Sequence, residues 1–311
     1  MAKKSRLRIL HVWDQAGVAG CLAKYQRKRG HIAHVIIRDG FDGLGINKYY
    51  GSILTDCASR QVETDLVYRK YLSLPAPLKR LAKRIAKVNK ALRFYITAMR
   101  YAKNYDILHI HSLYAVVFFV PFKKKILEFH GDDVRFCPSK RSRIDGLQTR
   151  IFLKLASKLG MYLLVSTPDL HREVPNAIWL PNPVDTELFK PGALSASNLA
   201  LYSSMWYEPS KRAKKIAQDL DLTLYILERR ETADLIRYPE MPQFLGKFSH
   251  YIDRGAIPSL SKTALEALSV GLKVVAWDGR IIQGLPSRHL PENVVKETEW
   301  IYRRKLFVDT D

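Results

Sequence analysis

Cysteine is scarce: three residues in 311 (Cys21, Cys57, Cys137), far apart, with no C-x-x-C pair and no Cys/His cluster. That excludes a disulfide scaffold and a structural zinc of ordinary spacing, and it suits a reducing compartment. Long apolar runs are missing too. The longest, Leu113 to Phe122, is about half of what a spanning helix needs and contains Pro121. Behind the basic N-terminus only Ile9 to Trp13 is mostly apolar, with His11 inside it, too short for a signal peptide. The expected location is the cytoplasm. Acidic residues are in deficit, 30 Asp and Glu against 51 Lys and Arg, a formal net charge of +21. Such an excess attracts nucleic acid, an acidic membrane surface or a phosphorylated substrate. The chain lacks the aromatic-rich strand motifs and zinc spacings of common nucleic-acid modules, so nucleic acid is the weakest of the three.

What is present is a globular composition, 47% hydrophobic and 26% charged, on a length that suits two domains of roughly 150 residues each. Short apolar segments alternate with helical ones. Strands are expected at Arg6–Trp13, His34–Arg38, Ile107–His111, Lys125–His130, Tyr162–Ser166 and Ile178–Leu180. Helices are expected from Gly20 to about Arg29 and over Leu78–Lys103, while Asp39–Leu74 shows no clear period. Pro181-Asn-Pro-Val-Asp-Thr-Glu-Leu-Phe-Lys-Pro191 breaks the pattern with three prolines and reads as a linker. Beyond it the alternation restarts: strand Leu199–Ser203, helix Ser210–Asp219, strand Thr223–Leu227, short helices near Thr232 and Thr263, strand Lys273–Trp277 and a closing helix Glu297–Leu306. This predicts an α/β protein: an N-terminal α/β domain over 1–181, a hinge over 182–192 and a C-terminal domain over 193–311, its last helix a candidate to cross back. In such folds ligands bind at the carboxyl ends of the strands, here in an expected interdomain cleft.

Thr263-Ala-Leu-Glu-Ala-Leu-Ser-Val-Gly271 is the most informative stretch. A polar turn (Ser259, Ser261, Thr263) opens a short helix that Gly271 stops. A helix N-terminus presents unpaired N–H groups and a positive dipole end, suited to phosphate, and Glu266 would accept from hydroxyls of the same ligand. The alternative is a capping box, Thr263 with Glu266, that binds nothing. Gly17 and Gly20 after the first strand are a weak G-x-x-G signal for close backbone approach to a phosphate.

Four segments taken together resemble the GT-B glycosyltransferases of the large retaining family 4. Leu180–Pro191 looks like the family's hinge, P-N-G-V-D-x-x-x-F-x-P. Leu127-Glu-Phe-His-Gly-Asp-Asp-Val134 is similar to its H-G-x-D segment, and Tyr105-Asp-Ile-Leu-His-Ile-His111 to its D-x-x-H-x-H strand. Thr263–Gly271 looks like its donor helix, x-x-L-E-A-x-x-x-G. The four occur in family order. The resemblance implies two Rossmann-like domains, a nucleoside-diphosphate sugar held mainly by the C-terminal one, an acceptor held by the N-terminal one, and no metal or other cofactor. It implies catalytic roles for His130, Asp132 and Lys211, and donor binding by Gly17, Asn182, Lys211, Arg212, Ser261, Lys262, Thr263 and Glu266. Cationic side chains then stabilise the leaving diphosphate. Three departures stand out. The upstream glutamate of the family is replaced by Pro258, the arginine of the first C-domain loop has no match in Ser203–Arg212, and the hinge glycine is Pro183.

From Pro75 to Asn104 there are nine basic residues and no acidic one, with apolar residues at helical spacing. Lys79, Arg80, Lys83, Arg84, Lys87 and Lys90 form its densest part and point to a peripheral attachment on an anionic membrane surface, with a lipid-linked acceptor. The expected function is a metal-independent, retaining glycosyltransferase. The alternatives are a sugar-nucleotide epimerase of the same fold, against which Pro258 counts, and a degenerate or nucleic-acid-binding member.

Overall fold

The computed structural model describes residues 6–37, 42, 44–54, 78, 92–111, 122, 124–131, 134–135, 143–192, 198–203, 210–227 and 236–308. Two compact units emerge. The first comprises residues 1–42, 50–129 and 136–163, the second residues 43–49, 130–135 and 164–311.

In the first unit β1 (Arg8–Val12), β2 (Ile32–Ile37), β3 (Ile53–Leu54), β4 (Ile107–Ile110) and β5 (Lys125–Phe129) run parallel in the order β3-β2-β1-β4-β5. Strands buried on both faces read as near-continuous apolar runs, and Ile9, Leu10, Val12, Ile107, Ile110, Ile126 and Leu127 are wholly or almost wholly buried. Helix α1 (Val18–Lys28) returns the chain from β1 to β2. It ends where Gly30 takes a left-handed φ of 88°. Gly20 packs so tightly against the Tyr50 ring that a Cβ would collide with it. Residues 92–102 are helical and are labelled α3, after α2 (Ile46–Tyr50); α4 (Arg143–Lys158) closes the unit.

In the second unit β6 (Tyr162–Val165), which starts in the first, pairs in parallel with β7 (Ile178–Trp179). A separate five-stranded sheet has the order β12-β11-β10-β8-β9, built from β8 (Leu199–Ser203), β9 (Thr223–Leu227), β10 (His250–Ile252), β11 (Lys273–Val275) and β12 (Ile281–Ile282). All its pairs are parallel except β11 with β12. Helix α5 (Lys211–Asp219) lays Ala213 and Ala217, one turn apart, on Ala200, Tyr202, Ile252 and Val275. Then come α6 (Met241–Leu245), α7 (Lys262–Val270) and α8 (Pro291–Val308), the last opening with proline at its first position, where no N–H is needed.

Several expectations change. The strand expected over Lys273–Trp277 stops at Val275, and the chain turns back as antiparallel β12. The closing helix begins at Pro291 instead of Glu297. Strand β10 and helices α2, α4 and α6 were not anticipated. In the segment read as a linker Pro181, Asn182, Pro183, Val184, Asp185 and Phe189 are buried, while Glu187, Lys190, Pro191 and Gly192 are exposed. The helix expected near Thr232 and most of the basic Pro75–Asn104 segment lie outside the described residues, including Lys79, Arg80, Lys83, Arg84, Lys87 and Lys90. Among the described residues no helix is long and apolar enough to cross a membrane.

Candidate functional site

The first turn of α7 organises the second unit. Ser261, in an extended conformation, is its N-cap, and its hydroxyl accepts from Ala264 N–H at 3.0 Å. The capping-box reading therefore fails on position: Thr263 is already the second helical residue, and Glu266 is the fifth, beyond the first turn. Glu266 has another environment. It is 4% exposed, and its Oε1 accepts from the Tyr238 hydroxyl at 3.0 Å and pairs with Lys262 Nζ at 3.3 Å. Burial pushes its carboxyl above the ordinary range, against the opposing pull of Lys262 and Tyr238. Lys262 also donates to Pro183 O at 2.7 Å, tying the Pro-rich segment to the helix. At the other end Gly271, with φ 112°, lets its own N–H and that of Leu272 close on Ala267 O at 3.1 and 3.0 Å.

The Pro-rich segment is held by further bonds, to His289 ahead of α8 and to Ser269 on α7. His289 Nδ1 donates to Asn182 O at 2.8 Å, Val184 N–H donates to His289 O at 3.0 Å, and Ser269 Oγ donates to Phe189 O at 2.6 Å. Burial takes His289 down to about 4; the bond to Asn182 O opposes that, and the Arg288 and Lys262 charges add to it. The imidazole is neutral at neutral pH. Asn182 Oδ1 is buried and has no partner among the described residues. Tyr49 donates to Asp185 Oδ2 at 3.2 Å, and the rings of Tyr49 and Phe189 lie edge-on to Tyr238.

The loop between β10 and α7 hangs on Asp253, which sequence reasoning missed. Its carboxylate is 1% exposed; Oδ2 accepts from Ser261 N–H and Oδ1 from Arg254 N–H, both at 2.9 Å. Burial raises its carboxyl, with those N–H groups opposing. The available signal was its place at the carboxyl end of a parallel strand, but β10 is three residues long and opens with histidine. Arg212 donates to three backbone carbonyls, Asp253 O at 2.8 Å, Ala276 O at 2.7 Å and Trp277 O at 3.1 Å. Its guanidinium thus ties the ends of β10 and β11 together, whereas its neighbour Lys211, the first residue of α5, is exposed.

His130 follows β5 directly and is half-buried, while Asp132 lies outside the described residues. Gly131 takes φ 117°, a backbone only glycine adopts without strain, and its carbonyl accepts from Val134 and Arg135 N–H at 3.1 and 2.7 Å. Of the expected donor residues, Asn182, Arg212, Ser261, Lys262, Thr263 and Glu266 therefore gather around one helix end in one unit.

Gly17 belongs to the first unit. It is the left-handed N-cap of α1 (φ 76°), in a loop where Trp13 (φ 78°) and Ala16 (φ 53°) are left-handed as well. The N–H groups of Ala19 and Gly20 are taken by the two carboxylate oxygens of Asp14, at 3.0 and 3.1 Å. The start of α1 is thus occupied by the chain's own acid. His109 and His111 do point to one face, stacked at 4.3 Å, with Nε2 of the first and Nδ1 of the second 3.0 and 3.4 Å from Glu128 Oε2. His11 bridges His111 Nε2 and Gln26 Oε1 at 3.0 and 2.9 Å. All five side chains are buried; burial holds His11 well below its ordinary value and takes His109 down to about 3. Ligand atoms of His11, His109 and His111 lie within 4.8 Å of one another, as do those of His111, Glu128 and His130.

No family profile matches the chain, and no curated protein matches it in sequence. In three dimensions it is similar to HepE of Anabaena, solved in complex with UDP and glucose, at 13% identity over 98% of this chain and 93% of that one, with a TM-score of 0.54. A second structure of HepE, in complex with UDP, matches at 13% identity, 98% and 97% coverage and a TM-score of 0.51. At such identity the likeness speaks for architecture, and the architecture is that of an α/β protein of GT-B fold, with two Rossmann-like domains.

Proposed function

We propose that this protein is a glycosyltransferase of the hexosyltransferase type, moving a sugar from a nucleoside-diphosphate sugar to an acceptor without a metal and with retention. The observation that carries the reading is the start of α7: a capped helix end carrying Lys262 and the buried carboxylate Glu266, on a chain folded like a protein crystallised with UDP. The diphosphate lies against that positive helix end, where the Lys262 and Thr263 N–H groups precede the first intrahelical bond. Glu266 exchanges its bond from Tyr238 for bonds from the ribose hydroxyls. Lys211 and Lys262 stabilise the charge on the departing diphosphate, and its own oxygen takes the acceptor proton, so that positioning supplies much of the rate. Arg212, with its guanidinium engaged on three carbonyls, holds the loop and does not itself meet phosphate. His130 and Asp132 serve the transferred sugar and the acceptor. The basic segment that contains Lys79 to Lys90 brings the enzyme to an anionic membrane face and a lipid-linked acceptor.

A thermal-shift panel of UDP, GDP, ADP and their sugar derivatives tests this. One nucleoside diphosphate is expected to stabilise the wild type and to lose that effect in Glu266→Gln, which keeps the side-chain shape and leaves the far-UV spectrum unchanged. A shift that survives the substitution removes Glu266 from the site.

A further inference from the structure

Three histidines of the first unit meet on one face of its sheet. Strands β1 and β4 pair with His11 opposite His109, and β4 pairs with β5 so that His109 stands opposite Ile126. The His111 N–H donates to Val12 O at 3.0 Å, which carries the pairing one residue past β4. Side chains two residues apart in a strand share a face, so His111 and Glu128 join His11 and His109 there. Helix α1 reaches the same group through Gln26, whose Oε1 lies 2.9 Å from His11 Nε2. None of the five side chains belongs to a residue more than 1% exposed.

The proton positions within this group conflict. His11 Nε2 faces an amide oxygen, which accepts, so the proton of that ring sits on Nε2 and Nδ1 is unprotonated. Glu128 Oε2 lies 3.4 Å from His111 Nδ1, and a negative charge there favours the tautomer protonated on Nδ1, with Nε2 unprotonated. Those two nitrogens, His11 Nδ1 and His111 Nε2, are the pair that face one another at 3.0 Å. An added proton would settle the contact by charging a ring, and burial opposes that, holding His11 well below its ordinary value. A divalent cation settles it with both tautomers as they stand. Nitrogens bound to one zinc ion at about 2.0 Å are about 3.3 Å apart in a tetrahedron, close to the separation of this pair. His109 adds a third ligand atom within 4.8 Å.

We infer that His11, His109 and His111 hold one divalent transition-metal ion of the zinc type, with Glu128 as its buried counter-charge and Gln26 as a positioning residue for His11. Imidazole is a ligand that zinc, copper and nickel favour, whereas magnesium and calcium take oxygen. Metal-bound imidazoles turn their second nitrogen to a carboxylate or a carbonyl oxygen, the places that Glu128 and Gln26 take here. The ion is structural. It ties β1 to β4 and, through Gln26, to α1. All of these residues belong to the first unit, whereas α7 belongs to the second, and the transfer proposed there makes no use of the ion. With every ligand buried, the ion enters as the chain folds. Sequence spacing hides such a site, because His11 stands 100 residues before His111.

The test produces the full chain, without a histidine tag, in minimal medium supplemented with zinc, with cobalt or with neither. Bound metal is counted by mass spectrometry after gel filtration, with far-UV circular dichroism as the control for folding. One equivalent of zinc or cobalt is expected to stay with the wild type and to raise its melting temperature above that of the metal-free protein. X-ray absorption is expected to show an imidazole shell about 2.0–2.1 Å from the ion. His109→Phe and His111→Phe are expected to lose the ion, while His250→Asn, in the second unit, keeps it. Gln26→Met is expected to hold zinc about 10–100-fold more weakly against a competing chelator, and an unchanged affinity overturns its positioning role. Should the phenylalanine variants fail to fold, the absorption spectrum of the wild type decides. A folded wild type that keeps neither metal overturns the inference; the Gln26 amide is then turned over and donates to His11. Metal retained by both folded phenylalanine variants, or a shell of oxygen alone, overturns it as well. The nucleotide binding tested at α7 is read separately from all of these outcomes.

Discussion

Acidification should loosen the Pro-rich segment through one side chain, His289. Burial is the main reason its imidazole sits at about 4, against an ordinary value of 6.5, while it donates to Asn182 O. Because the folded value is the lower one, the folded state resists protonation. Above pH 6.5 both states are neutral and His289 contributes no pH dependence. As the pH falls from 6.5 towards 4 the unfolded chain takes up the proton first, and stability is lost over that window. At about 1.4 kcal/mol per unit the limiting loss is about 3 kcal/mol, of which about 2 kcal/mol falls between pH 7.5 and 5.0. His11 and His109 are lowered as well, so the total acid effect does not isolate His289. The difference between wild type and His289→Asn does, because asparagine places an amide donor where Nδ1 stood but has nothing to titrate. Urea unfolding followed by circular dichroism at both pH values should show the variant losing about 2 kcal/mol less than the wild type on acidification. Equal losses within about 0.5 kcal/mol would refute the reasoning, and would mean that His289 is either solvated or already charged in the fold.

Replacing Arg212 by Met should cost about 2–4 kcal/mol in urea unfolding, because three carbonyls at the ends of β10 and β11 lose a charged donor; a cost below about 1 kcal/mol would mean that solvent replaces those bonds freely. The basic segment predicts sedimentation with anionic liposomes and not with neutral ones, falling as salt is raised; equal binding to both would remove the membrane proposal.

Legibility followed the range of the interactions. Strands β8 and β9 have the limits expected from their apolar runs, and Gly271 stops α7 as expected, since each depends on neighbours in sequence. Strand β10 was invisible because three residues, one of them His250, carry no period. It is a strand because β8 and β11 pair with it on either side. The Pro181–Pro191 stretch has the composition of a linker, and nothing in that composition shows that Lys262 and His289, far along the chain, donate to its carbonyls where Asn182 and Pro183 are buried. Thr263 and Glu266 match a capping box letter for letter. Ser261 won the cap because Asp253 holds its N–H and fixes the entry of the chain.

The sequence alone determined the alternation of strand and helix, the excess of positive charge, the two-part organisation and the stretch in which a phosphate site was to be sought. Those are properties of composition and of short periods, set by burial and by backbone preference. What Glu266, Arg212 and His11 do was decided only by tertiary structure. A carboxylate beside Tyr238, a guanidinium on three carbonyls and an imidazole against His111 show nothing of those partners in one dimension. Partners brought from 28, 41 and 100 residues away give each its separate chemistry.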